Sequence, residues 1–350
     1  MDDDAMDLNE RAAAGRDIEL EMASMFGGRE PTHEMAQVLD MLQSLHGKPI
    51  PDLDASEARR QPTPMDAVRK LLEVRDENAD PQEVGSIDNR RIDGPAGDID
   101  IRIYKPASAL EGKTLPVALY VHGGGWVIAD IDSYDRSARA ICTSAHCIVV
   151  STEYRHGPEH RFPAAHDDVY AAYKWTLENA AALNGDPALV AVVGESAGGN
   201  MAANVCIRAR DEGIQQPVYQ VIVYPVAGYD FDTASYREMT QAIPLNTAMM
   251  RWFFDNYLNS AADGESPVVT LDDADLSGLP PVTIVSAELD PLRSEGEALA
   301  RQFQSAGVAT EQRTYNGVTH EFFGMGDVLQ EAEDAVLFAA NGLLRAFGTA

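Results

Sequence analysis

The sequence predicts an α/β fold built on one mostly parallel sheet of eight strands, with helices on both faces. Short continuous apolar runs, typical of parallel strands buried on both faces, alternate along the chain with longer segments of helical periodicity. The junction between Leu189 and Asn200 joins such a run to a helical pattern through a glycine-rich turn. With 350 residues, of which 45% are hydrophobic, the chain is long enough for one large core with an elaboration.

The first 80 residues differ in pattern from the rest. Residues 1–16 are acidic and show little apolar periodicity. Helical patterns follow at about 17–26, 34–46 and 65–78. We therefore expect an N-terminal helical segment over residues 1–80, followed by a core over residues 81–350.

Eight strands are expected in the core. The first two alternate polar and apolar residues, as strands with one solvent-facing side do, and the next five are continuous apolar runs. In chain order the strands are predicted at 84–93, 98–105, 115–121, 147–150, 189–193, 219–224, 281–285 and 309–315. Helical patterns are found at about 132–145, 165–183, 197–212, 291–306 and 328–347.

One interval, at about residues 228–265, breaks this alternation. It contains an amphipathic, aromatic-rich stretch, Met249 to Leu258. An aromatic stripe at helical spacing is often part of a core. Because this stretch lies in a long connection between strands, we also expect that it forms an inserted lid helix.

The turn Gly194-Glu195-Ser196-Ala197-Gly198 has the Gly-x-Ser-x-Gly pattern of a nucleophile elbow. An elbow holds the serine in a strained conformation at the end of a strand, where the flanking chain passes too close for side chains. The pattern also occurs in ordinary glycine-rich turns and in fragments of dinucleotide-binding loops. The strand before it and the helix after it favour Ser196 as a catalytic nucleophile.

A serine hydroxyl needs a base with a pKa near neutrality, which means histidine. His320 follows the last predicted strand and is the one histidine after Ser196. The third member should be a carboxylate that orients the imidazole. Asp290 and Glu288 both follow the apolar strand 281–285; we prefer Asp290, because Glu288 falls closer to the strand and Pro291 fixes the backbone after Asp290.

The sequence His122-Gly-Gly-Gly-Trp126 follows the strand 115–121. In this position a glycine-rich loop can turn backbone N–H groups towards a developing oxyanion. We expect the donors to be Gly123, Gly124 and Ala197. A phosphate-binding loop is the competing interpretation, but no Gly-Lys-Ser/Thr sequence and no dinucleotide fingerprint accompany the glycines; a plain flexible turn is the other.

No sequence of the His-Glu-x-x-His type or other ligand spacing is present, so the sequence implies neither a metal nor a cofactor. His156, His160 and His166 lie along a segment rich in proline and arginine, and we interpret them as structural. His122 is expected to form a structural hydrogen bond.

The formal net charge of −29 disfavours nucleic acid and anionic membrane surfaces as partners. No apolar run approaches the roughly 20 residues that span a bilayer. The acidic N-terminus does not have the pattern of a secretory signal, and the three cysteines have no paired spacing. We therefore expect a cytoplasmic protein without stable membrane association.

With these motifs in order, the chain resembles the hormone-sensitive lipase family of esterases, the bacterial family IV carboxylesterases, within the α/β-hydrolase superfamily. The matching segments are His122–Trp126, Tyr154–Arg155, Pro158–Ala165, Asp167–Asp168, Gly194–Gly199, Asp290–Arg293 and His320. The chain departs from the common family pattern at Glu195, where the larger subgroup has Asp, at His156-Gly157 in place of Leu-Ala, and at Glu321 in place of Gly.

The resemblance implies a cofactor-free serine carboxylesterase that hydrolyses small short- to medium-chain acyl esters through an acyl-enzyme. It also implies that the N-terminal helices and the 228–265 insertion form a cap over Ser196. An amidase or other acyl hydrolase with the same triad, and a ligand-binding protein without catalysis on this scaffold, remain the alternatives. Homodimer formation is left open.

Overall fold

The computed structural model describes residues 23–107, 109 and 113–349. The segment 1–16 and most of the helix predicted at 17–26 lie outside the described residues. Residues 23–25, at the end of that predicted helix, are helical.

The predicted eight-stranded sheet is present in the described residues, in the spatial order β1-β2-β4-β3-β5-β6-β7-β8. β1 pairs with β2, and β2 with β4, in antiparallel orientation, whereas all other neighbours are parallel. The strands are β1 (Ser86–Gly94), β2 (Gly97–Lys105), β3 (Leu115–Val121), β4 (Ile148–Thr152), β5 (Gly185–Glu195), β6 (Gln220–Val223), β7 (Val282–Leu289) and β8 (Thr310–Thr319). The chain therefore has the α/β-hydrolase fold class that the resemblance implies.

Helices cover both faces of the sheet. Those within the described residues are α1 (His33–Ser44), α2 (Ala55–Ala58), α3 (Pro64–Val74), α4 (Asp135–Ser144), α5 (Ala164–Asn179), α6 (Ala197–Asp211), α7 (Ala234–Glu238), α8 (Thr247–Tyr257), α9 (Ala261–Gly264), α10 (Arg293–Ser305) and α11 (Gln330–Phe347). None of the described helices is both long enough and apolar enough to cross a bilayer.

The core consists of two apolar clusters, one on each face of the sheet. Successive side chains of a strand point to opposite faces. In β3, accordingly, Val117 and Leu119 belong to the cluster under α5, α6 and α10. Ala118 and Tyr120 belong to the cluster under α1, α3, α4 and α11. Burial on both faces explains why the central strands are uniformly apolar rather than alternating.

Three strands, β5, β7 and β8, extend at least four residues beyond their apolar runs, and β7 continues from the predicted end at residue 285 to Leu289. β5 begins four residues before the predicted start, because Gly185 pairs with Leu115 and a register shift then separates that pair from Val117 and Val190. β8 continues past the predicted end to Thr319, which pairs with Leu289 after a second register shift. The extensions include exposed or half-buried residues, which carry no apolar signal.

The 228–265 insertion contains α7, α8 and α9. Trp252 of α8 donates its indole N–H to the Leu53 carbonyl, 3.0 Å away, in the N-terminal segment. Tyr257 stacks on Trp126, with ring centroids 4.8 Å apart, and both belong to the main apolar cluster. The aromatic stripe is thus packed against the core and also contacts the N-terminal segment.

Candidate active site

Ser196 lies in the sharp turn between β5 and α6. Its φ of 56° and ψ of −119° are strained for a residue with a Cβ. The Ser196 N–H donates to the Val223 carbonyl in the neighbouring strand β6, at 2.9 Å. This interstrand bond helps to hold the serine at the carboxyl edge of the sheet, where it is 4% exposed.

The two glycines of the turn allow the chain to pass close to itself. A Cβ on Gly194 would collide with the carbonyl of Gly198, and a Cβ on Gly198 would collide with the carbonyls of Val121 and His122. The second collision shows that the glycine-rich loop after β3 lies directly against the start of α6. The sequence pattern therefore reports a real close approach of two loops.

His320 bridges Ser196 and Asp290. Its Nε2 is 3.0 Å from the Ser196 Oγ, and its Nδ1 is 2.7 Å from the Asp290 Oδ2. The three side chains follow the ends of β5, β7 and β8, which are parallel, so their carboxyl ends meet at the same edge of the sheet. All three are buried.

Asp290 is fixed by a second hydrogen bond, because the Leu292 N–H donates to its Oδ1 at 2.9 Å. The rival acid, Glu288, is still within β7. Its carboxylate accepts a hydrogen bond from the Gly317 N–H at 2.8 Å and lies 3.4 Å from Arg29. The structure therefore places Asp290, and not Glu288, against the imidazole Nδ1.

The electrostatic environment favours the protonated imidazole of His320. Burial alone would lower its pKa, but the charge of Asp290 and the hydrogen bond to it outweigh burial, with a smaller contribution from Glu321, so that the pKa is raised. A base with these neighbours accepts a proton readily and is stabilised as imidazolium.

The three predicted oxyanion donors belong to the loop after β3 and to the residue that follows Ser196. In the described part of the chain, Gly123 and Gly124 donate their backbone N–H groups to no other residue. Ala197 is the first residue of α6, where a backbone N–H has no partner within the helix. The backbone N–H groups of Gly123, Gly124 and Ala197 are therefore not used by backbone hydrogen bonds within the described residues.

Glu321 is a neighbour of the imidazole that the motif analysis did not assign to the site. Its φ of 70° turns the side chain back, so that Oε1 lies 3.8 Å from His320 Nε2. Tyr134 donates its hydroxyl to the same Oε1 at 2.6 Å. Burial raises the pKa of Glu321. The only signal in the sequence was the departure from the family's common Gly at this position.

Glu195, the other departure next to the triad, lies under the elbow. Its two carboxylate oxygens accept hydrogen bonds from the hydroxyls of Tyr120 and Tyr224. Burial, followed by the charge of Glu321, raises the pKa of Glu195 to about 7. The Glu195 side chain therefore helps to stabilise the elbow. Among the described residues it forms no hydrogen bond with Ser196.

The histidines interpreted as structural differ in their surroundings. His166 uses both ring nitrogens, towards the Tyr257 hydroxyl at 2.8 Å and the Asn200 side chain at 2.9 Å. Burial lowers its pKa to about 4. His122 and His156 instead lie with Glu153 in a group whose ligand atoms are all within 4.8 Å of one another. Among the described residues, this group has the geometry closest to a metal site.

Comparison with known proteins identifies close relatives. A family model described as "alpha/beta hydrolase fold" matches residues 118–324. The carboxylesterase NlhH of Mycobacterium tuberculosis is 38% identical over 253 residues, which are 71% of this chain and 79% of the relative. An ethyl acetate hydrolase of Pseudomonas putida is 32% identical over 300 residues, 84% of this chain and 91% of the relative.

Solved structures of ester hydrolases are also similar to this chain. An ester-hydrolase from the metagenome of Lake Arreo, complexed with a derivative of bipyridine phosphonate, is 35% identical; the match has a TM-score of 0.81 and covers 91% of this chain and 100% of that chain. An esterase of Pyrobaculum calidifontis is also 35% identical, with a TM-score of 0.77 and coverage of 89% and 99%.

Proposed function

The chain belongs to the alpha/beta-hydrolase family and is a serine carboxylesterase, and from that premise we propose that Ser196, His320 and Asp290 carry out its ester hydrolysis. His320 Nε2 takes the proton of Ser196 as Oγ attacks the ester carbonyl. The Asp290 carboxylate holds the Nδ1–H and stabilises the imidazolium that forms.

The developing oxyanion is bound by the N–H groups of Gly123, Gly124 and Ala197. His320 then gives its proton to the leaving alcohol, and an acyl-enzyme remains on Ser196. In the second half-reaction His320 removes a proton from water, the hydroxide oxygen attacks the acyl carbon, and the proton returns to Ser196 as the acid leaves.

The observation that carries this proposal is the single imidazole bonded at both nitrogens. Nδ1 is 2.7 Å from Asp290 and Nε2 is 3.0 Å from Ser196, both within the reach that proton transfer requires. A packing histidine would not need a nucleophile elbow at one nitrogen and an anchored carboxylate at the other.

Replacement of Ser196 by Ala is expected to lower kcat for p-nitrophenyl butyrate by roughly 10⁶-fold. A fluorophosphonate probe should label the wild-type protein and leave Ser196→Ala unlabelled. Ser277→Ala, which changes an exposed serine, is the matched control and should keep both activity and labelling. Activity of Ser196→Ala within about tenfold of the wild type would contradict the assignment.

The proposed cap consists of the N-terminal segment within residues 1–80 and the insertion at about 228–265. Two contacts support it: the Trp252–Leu53 hydrogen bond, and Arg59, whose guanidinium donates to the carbonyls of Val127 and Gly157 at 2.8 and 2.7 Å. The Phe253 ring lies so close to Gly125 that a Cβ there would collide with it. Phe253 thus lies next to the proposed oxyanion loop.

A bulky aromatic ring next to the proposed oxyanion loop restricts the space for long acyl chains. We therefore expect kcat/KM to be higher for p-nitrophenyl butyrate than for octanoate and lowest for palmitate. Phe253→Ala should raise the octanoate-to-butyrate ratio, because the ring no longer closes that side. Asp255→Ala, on the exposed side of α8, should leave the ratio unchanged. A wild-type optimum at palmitate would exclude the proposed preference.

A further inference from the structure

A second group of titratable side chains, separate from the triad, lies just after the ends of the neighbouring strands β3 and β4. Val121 of β3 pairs in register with Thr152 of β4. The residues that follow them, His122 and Glu153, are therefore brought side by side. His156 comes three residues after Glu153, and the ligand atoms of these three side chains lie within 4.8 Å of one another.

The hydrogen bonds of His122 fix the direction of its ring. Its Nδ1 is 2.9 Å from the Gly123 carbonyl, which can only accept, so Nδ1 carries the hydrogen. In the neutral ring Nε2 then has no hydrogen and can only accept a hydrogen bond. It nevertheless lies 3.3 Å from Oε2 of Glu153. Two acceptors at this distance need either a second proton on the ring, which would make an ion pair, or a bound cation between them.

His156 adds a ring nitrogen without a hydrogen-bond partner. Its Nε2 is buried and forms no hydrogen bond with the described residues. Its ring meets that of His122 edge-on, with centroids 5.9 Å apart. Buried polar atoms in proteins are nearly always satisfied, so an unsatisfied imidazole nitrogen beside a histidine–carboxylate pair points to a missing ligand.

We propose that His122, Glu153 and His156 bind one divalent transition-metal ion, with Zn²⁺ as the ion that best fits two imidazoles and a carboxylate. Zn²⁺ is bound at about 2.0–2.2 Å by nitrogen and oxygen ligands in a tetrahedral arrangement, so its ligand atoms stand roughly 3.4 Å apart. The 3.3 Å between His122 and Glu153 matches this spacing, and the ligand atom of His156 lies within 4.8 Å of both.

The outer contacts are those that metal ligands usually have. A metal-bound histidine normally donates its other N–H to a carbonyl or carboxylate, and His122 donates to the Gly123 carbonyl. The second oxygen of Glu153, Oε1, accepts a hydrogen bond from the Ile131 N–H at 2.7 Å. The side chains of His122 and Glu153 are therefore each held in position by a second hydrogen bond.

Of the three side chains, Glu153 lines a surface cavity of about 710 Å³, whose other charged lining residues include Asp130, Asp132, Arg102 and Arg155. A fourth ligand, a water molecule, could enter from the same side. Because His122 and Gly123 continue into the proposed oxyanion donors, an ion here would brace the glycine-rich loop from the side opposite Ser196.

The test is titration of the purified protein with Zn²⁺ by isothermal calorimetry, with melting temperatures measured in parallel. We expect one saturable site, a rise in melting temperature with Zn²⁺, and no comparable effect of Mg²⁺, which prefers oxygen ligands. His156→Leu should bind Zn²⁺ at least tenfold more weakly. His160→Leu, an exposed histidine in the same segment, is the matched control and should bind like the wild type.

Leu at position 156 is also the residue that the resembled family commonly has there, so His156→Leu is expected to fold, and its unfolding transition without metal checks this. Cu²⁺ gives a second readout that does not depend on stability: its electron paramagnetic resonance should show nitrogen couplings that decrease in His156→Leu. Equal Zn²⁺ affinity in wild type and His156→Leu would overturn the proposal. So would the absence of a saturable site, which would leave His122 and Glu153 as a simple ion pair.

Discussion

Two loops at the carboxyl edge of the sheet each bring a carboxylate to the same imidazole. The loop after β7 brings Asp290 to 2.7 Å from Nδ1 of His320, and the loop after β8 brings Glu321 to 3.8 Å from Nε2. Both groups are within Coulomb range of the ring. Distance alone therefore does not distinguish their roles.

Their hydrogen-bond partners differ. Asp290 accepts from the imidazole at one oxygen and from the Leu292 N–H at the other, and it is fully buried. Glu321 accepts only from the Tyr134 hydroxyl among the described residues, and 23% of its side chain is exposed. Two N–H groups hold the Asp290 carboxylate in position, whereas Glu321 accepts from one phenol and burial raises its pKa.

The difference teaches that a carboxylate becomes the orienting acid when backbone and imidazole together fix both of its oxygens. Asp290 is positioned to hold one tautomer of His320. Glu321 lies on the Nε2 side, next to the proton that must move, and is bonded to Tyr134. It can influence that proton through its charge but cannot orient the ring.

Of the two carboxylates, replacement of Asp290 should cause the larger loss of activity. Asp290→Asn is expected to lower kcat by roughly 10⁴-fold, because the amide can donate to Nδ1 and thereby favour the wrong tautomer of His320. The measurement is kcat for p-nitrophenyl butyrate at pH 8, with the folded state checked by circular dichroism.

Glu288→Gln is the matched control for this substitution. Glu288 lies two residues away but contacts Gly317 and Arg29 instead of the ring, and a partly exposed ion pair contributes about 1 kcal/mol or less. We expect kcat to fall by less than about tenfold. Equal losses in Asp290→Asn and Glu288→Gln would mean that Asp290 is not the orienting acid.

The meeting of Ser196, Asp290 and His320 could be predicted because each follows a strand with a strong apolar signal. Parallel strands place their carboxyl ends at one edge, so the order of the motifs along the chain was enough. The choice between Asp290 and Glu288 was also open to sequence reasoning. The prediction that Glu288 falls closer to the strand agrees with its position inside β7.

The surroundings of the triad could not be predicted in the same way. Glu321 approaches the imidazole because its backbone has a positive φ. The sequence does not indicate this conformation, because the residue is not a glycine. The register of β3 with β4 brings together His122, Glu153 and His156. The order of strands in a sheet cannot be predicted from local apolar periodicity. Glu153 and His156 are only three residues apart in the sequence, but the pairing of β3 with β4 is what brings His122 to them.

Removing the charge of Glu321 should have the smaller effect, and one that depends on pH. The Glu321 charge contributes to the raised pKa of His320, and the base must be neutral to accept the serine proton. Glu321→Gln is therefore expected to lower the pKa of His320 and to move the acid limb of the kcat/KM profile to lower pH. Activity should increase a few-fold below neutrality and change little at pH 8, measured across the acid and neutral range.

Glu83→Gln removes the same formal charge at an exposed position before the edge strand β1 and controls for the net charge of the chain. It should leave the acid limb in place, because exposed charges far from a site are screened by salt. If Glu321→Gln instead lowers kcat equally at every pH, Glu321 would act on a bound group, such as the attacking water, rather than on the proton affinity of His320. The shape of the profile thus decides whether the carboxylate after β8 tunes the imidazole or touches the reacting atoms.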